Sequence, residues 1–232
     1  MPVRKLTKKR DSRRISHDRR FTTRGKQQEQ PNHLRYILFF KPYGVLSQFT
    51  DEAGRTTLAD FGPFPPNVYS VGRLDNDSEG LLLLTNDGAL KHVLIEPKFN
   101  HPRTYLVQVE RIPDESALNQ LRNGVLIEGK KTLPAEVKLL SEPPLLPERS
   151  VPIRFRKTVP TCWLELTLRE GRNRQVRKMT AAVGYPTLRI VRIRIANLTI
   201  AGLLPGQHRE ITENEFTELK KILYRGNRSG RN

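Results

Sequence analysis

The strongest constraint on the fold of this chain is a run of four leucines, Leu81–Leu84, that follows a loop rich in carboxylates. The loop, residues 72–80, reads GRLDNDSEG, and the residues TNDG follow the leucines. A short apolar run between glycines and an Asn-Asp-Gly turn is typical of a strand buried on both faces. We therefore expect a buried strand here, with Asp75 on the approach to the core.

Two other interpretations of this loop follow from its residues alone. The carboxylates could do no more than shape a turn, since Asp and Asn are usual turn residues. Alternatively, Asp75, Asp77, Glu79 and Gly80 match positions 1, 3, 5 and 6 of an EF-hand-like calcium loop. Position 12, which needs a bidentate Glu, is Asn86, and the leucines occupy positions 7 to 10, so the ligand rules disfavour calcium.

The charge of the chain narrows the class of partner. The chain carries 41 Lys and Arg against 24 Asp and Glu, which gives a net charge of +17 and a pI of about 10.4. Such a surplus in 26.7 kDa favours binding to a polyanion, and nucleic acid above all. The single cysteine, Cys162, and the five histidines form no cluster with metal-ligand spacing, so no metal site is expected.

Residues 1–33 hold 11 basic residues and three acids, a net of +8, and they lack apolar periodicity. We expect a disordered basic arm, which is either a solvated tail or a segment that binds phosphates without sequence preference. No signal peptide or transmembrane run is visible, so a cytoplasmic protein without membrane contact is expected. The absence of a heptad pattern favours a monomer.

Residues 34–212 have the pattern of a globular domain, followed by a C-terminal helix and basic tail at 213–232. Apolar or alternating runs predict strands, and capped segments closed by Gly or Pro predict helices. Strands mixed with few helices favour an α+β fold with a mixed or antiparallel sheet. The expected strands are 36–40, 67–71, 81–84, 105–110, 135–140 and 162–168, and the expected helices are 87–94, 114–122, 173–183 and 213–224.

A second motif, residues 169–178, reads REGRNRQVRK. On a helix, Arg174, Arg177 and Lys178 share one face, while Val176 and Met179 can pack inward. The basic face is either solvated or turned toward phosphates or a buried carboxylate, and repulsion among like charges favours the second interpretation. Four further arginines are expected to extend this basic region: Arg189, Arg192, Arg194 and Arg209.

Together these motifs resemble the pseudouridine synthases of the RsuA type, which isomerise uridine within ribosomal RNA. The likeness spans about 35–212 and rests on three ordered blocks: FKPYGVL at 40–46, GRLD with the leucine strand at 72–84, and EGRNRQVR at 170–177. The run SQFTDEAGR at 47–55 and residues 152–154 before Pro160-Thr161 resemble more narrowly the RluE branch, whose members modify one uridine of bacterial large-subunit rRNA. The resemblance implies a catalytic domain of two fused lobes over 34–212, here without the S4-type RNA-binding module that many relatives carry at the N-terminus.

The resemblance also implies roles for individual residues. Asp75 is the expected nucleophile, held ionised by its partner Arg177 and close to the ribose C1′. Tyr105, which is otherwise a core tyrosine, is expected to stack on the flipped target base. Arg73 is expected to fill the space that this base leaves, and Leu188 to form an apolar wall of the pocket. The expected RNA-binding residues are Lys41, Arg172, Arg174 and Lys178.

The implied reaction breaks the N1–C1′ bond of uridine, turns the bound uracil and rejoins it through C5. It requires no redox partner, energy source, cofactor or metal. The expected substrate is 23S rRNA or a large-subunit assembly intermediate, and both covalent addition of Asp75 to the sugar and elimination to a glycal stay open. The competing class is a noncatalytic RNA-binding or ribosome-assembly protein, for which Asp75 would be dispensable.

Overall fold

The computed structural model describes residues 33–153 and 158–226. The expected arm, apart from His33, and the tail beyond residue 226 lie outside this range. In chain order the strands are β1 (Tyr36–Lys41), β2 (Tyr69–Ser70), β3 (Glu79–Thr85), β4 (Arg103–Glu110), β5 (Leu126–Ile127), β6 (Lys130–Lys131), β7 (Glu136–Leu139), β8 (Thr161–Leu168), β9 (Thr187–Ile195), β10 (Leu198–Thr199) and β11 (His208–Glu210). The α-helices are α1 (Gly88–Ile95), α2 (Glu115–Asn123), α3 (Gln175–Ala182) and α4 (Glu213–Gly226), and short 3₁₀ turns lie at Leu58–Phe61 and Pro97–Phe99.

Nine strands form one continuous sheet in the order β11-β1-β3-β9-β4-β8-β7, with β2 on β3 and β10 on β9. Strands β3 and β9 run parallel, and the other pairings of this sheet are antiparallel. Strands β5 and β6 make a separate hairpin. The expected α+β fold with a mixed sheet is therefore confirmed, with both lobes sharing one sheet.

Strand β3 is buried on both faces, as the leucine run predicts, and all seven of its residues are buried. Leu81 and Leu83 pack with the core beneath α1 and α4. Leu82 and Leu84 pack on the opposite face, under the loop that leads to the motif of residues 72–80. The loop of residues 72–80, which leads into β3, is thus attached to a strand that is packed on both faces.

The second lobe is built on β4, β8 and β7 with α2 and α3 against them. Val107 and Val109 point into this core, as the alternation in β4 predicts. Helix α2 begins and ends where the sequence predicts, because Asp114 accepts a hydrogen bond from Ala117 N at 2.8 Å and Gly124 has φ +86°. Within the described residues no helix has both the length and the apolar character of a membrane span.

Strand β9, which the sequence analysis missed, joins the two lobes by pairing with β3 on one side and β4 on the other. Its arginines interrupt the apolar pattern and suggested a basic surface instead. That expectation is wrong for Arg189 and Arg192, which are buried. Arg189 makes a bidentate pair with Glu79, with both nitrogen–oxygen distances at 2.8 Å, and its Nη2 also donates to Pro147 O at 2.9 Å, so its charge is compensated inside the sheet.

Candidate active site

A cleft of about 640 Å³ opens where the two lobes meet. Its lining comes mainly from residues 71–76, residues 170–177 and the side chains of Tyr105, Ile190 and Arg192. The two sequence motifs, about 100 residues apart, therefore face each other across one cavity. Asp75 lies in this cleft with about a third of its side chain exposed.

The backbone around Asp75 is fixed by hydrogen bonds on both sides of it. Ser47, which is buried, clamps Leu74: its Oγ accepts from Leu74 N at 3.0 Å and donates to Leu74 O at 2.8 Å. The carbonyl of Asp75 accepts from Ser78 N at 3.1 Å, and that of Asn76 from Gly44 N at 2.8 Å. A carboxylate on such a loop needs little reorganisation before it reacts.

Lys41 lies beneath this loop, and its side chain does not reach the surface where the expected contact with RNA would be made. Its side chain is fully buried, and its Nζ donates to Pro42 O at 2.9 Å and Ser78 O at 2.8 Å, with Asn76 O at 3.4 Å. Burial lowers the pKa of Lys41 to about 8, although the nearby carboxylates oppose the shift. The expected RNA-binding role is wrong because the ammonium is enclosed under the Asp75 loop.

Asp75 and Asp77 face two arginines, but the pairing differs from the expected one. Arg174 donates to both carboxylate oxygens of Asp77, at 3.1 and 2.9 Å, and lies 3.6 Å from Asp75. Arg177 contacts Asp77 through its backbone oxygen at 2.8 Å and its carboxylate at 3.3 Å. Among the described residues, Asp75 therefore has its ion-pair contact within 4 Å from Arg174, and Arg177 acts on it from farther away.

Burial and ion pairing act in opposite directions on the pKa values of Asp77 and Arg177. Burial would raise the pKa of Asp77, but hydrogen bonds from Arg174 and the charge of Arg177 outweigh it and lower the pKa. Burial lowers the pKa of the Arg177 guanidinium, and the charge of Asp77 opposes this. The site thus keeps an ionised carboxylate, Asp77, between two guanidinium groups.

Helix α3 starts later than the sequence predicts, at Gln175, because Arg174 has left-handed backbone angles of φ 50° and ψ 34°. This turn separates Arg174 from the helical face of Arg177. Arg172 donates to the backbone oxygens of Lys130 at 3.0 Å and Ile127 at 2.8 Å, which fixes the β5–β6 hairpin to the cleft.

Lys178 pairs with Glu128 on that hairpin at 2.6 Å. Of the four expected RNA-binding residues, Arg174 is the exposed one, while Arg172 and Lys178 are half-buried and hold protein groups. The basic residues of 172–178 thus contact carboxylates and backbone carbonyls of the protein. Arg174, which is exposed, is the one best placed to meet a phosphate as well.

Tyr105 lines the cleft and packs against the cores of both lobes, where a planar base could lie on it. Across the β4–β9 pairing, Tyr105 is opposite Arg192. Leu188 does not line the cleft: it falls at the register shift between the Gln108–Arg189 and Val109–Thr187 pairs, so the strand bulges there. Ile190 supplies the apolar wall instead, and the expectation for Leu188 is wrong.

Arg73 lies at the exposed rim of the cleft, with Nη2 3.4 Å from Gln48 Oε1. Ser47, Asp77 and Arg192 also belong to the site, although they were not predicted as site residues. Ser47 and Asp77 lie within the motifs of residues 47–55 and 72–80, so their positions in the sequence are a usable signal. Arg192 gave no such signal, because its burial depends on β9 lying at the centre of the sheet.

Comparison with known proteins agrees with this geometry. The family described as RNA pseudouridylate synthase matches residues 35–182, which include both motifs that face the cleft. A solved structure described as a pseudouridylate synthase superposes with a TM-score of 0.68 at 29% identity, covering 81% of this chain and 74% of its own. The sheet and the cleft of the described residues thus belong to a known fold.

Two curated relatives carry the name ribosomal large subunit pseudouridine synthase E. The protein from Vibrio vulnificus is 53% identical over 178 residues, covering 77% of this chain and 75% of the relative. The protein from Xanthomonas campestris pv. campestris is 56% identical over 175 residues, covering 75% of this chain and 93% of the relative. A more distant relative from Bacillus subtilis, ribosomal large subunit pseudouridine synthase B, is 39% identical over 192 residues, covering 82% of this chain and 73% of the relative.

Proposed function

This chain belongs to the RNA pseudouridylate synthase family, and from that premise we propose that it converts a specific uridine of bacterial 23S ribosomal RNA to pseudouridine. The observation that carries the proposal is Asp75, a partly exposed carboxylate on a loop whose backbone is clamped from both sides inside the cleft. A carboxylate is a weak nucleophile, so it needs fixed geometry and restricted water. The names of the similar proteins supply the ribosomal substrate.

The residues around Asp75 fit a flipped-out uridine. Tyr105 offers a face for stacking, which contributes roughly 1–3 kcal/mol per base and offsets part of the flipping cost. Ile190 lines the apolar side of the pocket. Arg73, at the rim, is placed to enter the duplex where the base has left, and Arg174, the more exposed of the two arginines that contact Asp77, is placed to meet a phosphate.

The reaction conserves atoms and electrons. The N1–C1′ bond breaks and its electron pair stays on the uracil, while Asp75 either forms an ester-like bond to C1′ or removes the proton from C2′ to leave a glycal. The uracil then turns and C5 forms the new bond to C1′, as the Asp75–C1′ bond breaks or the proton returns from Asp75 to C2′. Finally C5 loses its proton and N1 gains one. Because the base is free between these steps, the pocket must retain it, and Tyr105 and Ile190 line the cleft where it would be held.

The net charge of the protein and its expected place in the cell fit an RNA substrate. The net charge of +17 steers the protein to the phosphate backbone, and the basic residues of 1–33 strengthen that attraction. We expect the protein to act as a cytoplasmic monomer on 23S rRNA or on a large-subunit assembly intermediate. The isomerisation itself consumes no cofactor.

The test compares the wild-type protein with Asp75→Asn on unmodified bacterial 23S rRNA, with pseudouridine mapped by chemical derivatisation and primer extension. We expect one new stop with the wild type and none with the variant, while RNA affinity stays equal or rises because a negative charge is lost. Asp114→Asn is the matched control, because Asn caps helix α2 as well as Asp does and the residue lies outside the cleft. Turnover by Asp75→Asn equal to wild type would refute the nucleophile assignment.

The competing function, a noncatalytic assembly factor, predicts a different pattern. Wild-type protein would then bind 23S rRNA tightly without producing a stop, and Asp75→Asn would behave in the same way. Small-subunit rRNA and assembled particles are included as substrates, since modification of either would keep the enzyme class and change only the target.

A further inference from the structure

Arg192 is a buried cation for which the described protein provides no anionic partner. The residue is 3% exposed and lines the cleft. Its Nε donates to the backbone oxygen of Leu81 at 2.8 Å, whereas its Nη2 is buried without a hydrogen-bond partner. Among the described residues no carboxylate lies within 4 Å of this guanidinium.

The neighbouring acids are already engaged elsewhere. Glu79, one residue before the strand partner of Arg192, gives both oxygens to Arg189. Asp77 is held between Arg174 and Arg177. Burial therefore lowers the pKa of the Arg192 guanidinium, and the main opposing group is the hydroxyl side chain of Tyr105.

Such an arrangement is costly unless a ligand completes it. A buried charge without a partner is strongly unfavourable, and a fold retains it where a bound group supplies the missing acceptor. The strand pairing also prevents Arg192 from withdrawing, because Gly80 packs directly on its backbone and its Nε is fixed to β3. The unpaired donor is therefore built in beside Tyr105.

We propose that Arg192 Nη2 donates a hydrogen bond to a carbonyl oxygen of the target uracil and stabilises the negative charge that the base carries once the N1–C1′ bond has broken. This inference rests on the proposed uridine isomerisation. The electron pair of the broken bond is delocalised from N1 onto O2 and O4, which are the acceptors a guanidinium recognises best. Arg192 keeps its proton throughout, so its effect is electrostatic and is greatest when the charge has developed.

A contact to O4 would also select uracil. Nη2 is a donor only, so it matches the O4 carbonyl of uracil and cannot pair with the exocyclic amino group that cytosine carries at the same position, whereas a contact to O2 would not distinguish the two bases. A position that leaves a buried donor unpaired rejects the wrong base strongly. Arg192 is thus assigned as a catalytic residue that contacts the base, alongside Tyr105.

The test is a cycle between Arg192→Met and thio-substituted RNA, measured as single-turnover rates of isomerisation. Substrates carry uridine, 2-thiouridine or 4-thiouridine at the target position, since sulfur accepts a hydrogen bond more weakly than oxygen. We expect Arg192→Met to slow the uridine reaction by about 100-fold, as for loss of one charge-stabilising donor. One thio substitution should slow the wild type and have no further effect in the variant.

Controls separate this role from a structural one. Arg111→Met removes an exposed arginine outside the cleft and should leave rates and thio effects unchanged. Because an unpaired buried charge is removed, Arg192→Met should unfold at the same urea concentration as wild type or a higher one. A lower midpoint, with equal thio effects in both proteins, would overturn the proposal and make Arg192 structural.

Arg192→Gln is measured in parallel, so that a folded variant is available if the Met substitution does not fold. Absence of pseudouridine with wild-type protein would defeat the proposed function and this inference together. An active wild type with unchanged thio effects in the folded variants would defeat this inference alone.

Discussion

Arg174, which precedes helix α3, places its Nη1 3.6 Å from Oδ2 of Asp75 while its guanidinium is held in a bidentate pair with Asp77. The family resemblance predicted Arg177 as the partner of Asp75. The Arg177 guanidinium instead contacts the backbone oxygen and the carboxylate of Asp77. Asp77 therefore links both arginines to the loop of the proposed nucleophile. The Asp77 carboxylate fixes the orientation of both guanidinium groups. Its negative charge also neutralises part of the positive charge that they would present to RNA.

We expect Asp77→Asn to reduce the single-turnover rate by about tenfold, because it releases charge-assisted hydrogen bonds that orient Arg174 and Arg177 near Asp75. RNA affinity should rise slightly, because two arginines gain freedom to meet phosphates. Filter binding and single-turnover assays separate these effects. Asp51→Asn, which breaks an Asp–Arg pair with Arg55 outside the cleft, is the control. An unchanged rate for Asp77→Asn would contradict the positioning role.

We expect Lys41 to make stability rise with pH in the alkaline range. Its folded-state pKa is lowered to about 8 from 10.5, so between these values the unfolded chain binds a proton that the folded chain does not. The free energy of unfolding of wild type, relative to Lys41→Met, should therefore increase from pH 8 to pH 10.5, by at most about 3 kcal/mol. Urea unfolding of both proteins across this range measures the difference. A difference that stays constant would show that the pKa of Lys41 is the same in the folded and the unfolded chain.

We expect Gly80→Ala to prevent stable folding. Gly80 has φ +109°, and a Cβ there would lie 2.3 Å from the backbone oxygen of Arg192, where parallel strands β3 and β9 meet. Backbone clash combined with an unfavourable φ should cost more than about 3 kcal/mol. Gly88→Ala, at the start of α1 with open space around it, should be neutral or stabilising. Thermal unfolding of both variants measures the difference. Equal melting temperatures would contradict the close approach of Gly80 to the backbone of Arg192.

We expect Glu79→Gln to destabilise the fold by about 3–5 kcal/mol, because it leaves Arg189 buried without its charge partner. The double variant Glu79→Gln, Arg189→Met should recover part of this loss, since no uncompensated charge remains. Glu136→Gln, which breaks an exposed pair with Arg169, should cost less than about 1 kcal/mol. These values come from urea unfolding. If Glu79→Gln and Glu136→Gln lowered the free energy of unfolding equally, burial of the Glu79–Arg189 pair would not contribute to its effect on stability.

Local sequence predicted those elements whose signals lie close together in the chain. The helix predicted at 114–122 agrees with α2 to within one residue at each end, since its caps, Asp114 and Gly124, use groups within a single turn. The start of α3 was misplaced, because a left-handed arginine at residue 174 is stabilised by Asp77, which is 97 residues away. The sequence carries no local sign of that pair.

The same distinction separates the correct and incorrect assignments at the site. Asp75 was identified by its motif, and its place in the cleft is as expected, whereas Lys41 was assigned to RNA although it is enclosed beneath the loop. Leu188 was assigned from the family resemblance, but it lies at the bulge of β9, and Ile190 lines the cleft instead. Both errors concern which way a side chain points, and that depends on strand partners.

The sequence by itself determined the family, the buried leucine strand, the position of Asp75 and the attraction to a polyanion, because motif order, apolar runs and net charge are properties of the chain. The tertiary structure decided which charges are buried and which arginine meets which carboxylate. Glu79 and Arg189 are 110 residues apart, and Asp75 and Arg174 are nearly as distant. The packing of β9 between the lobes decides the first pair, and the meeting of the Asp75 loop with the start of α3 decides the second. Desolvation and ion pairing act on groups that only the fold brings together.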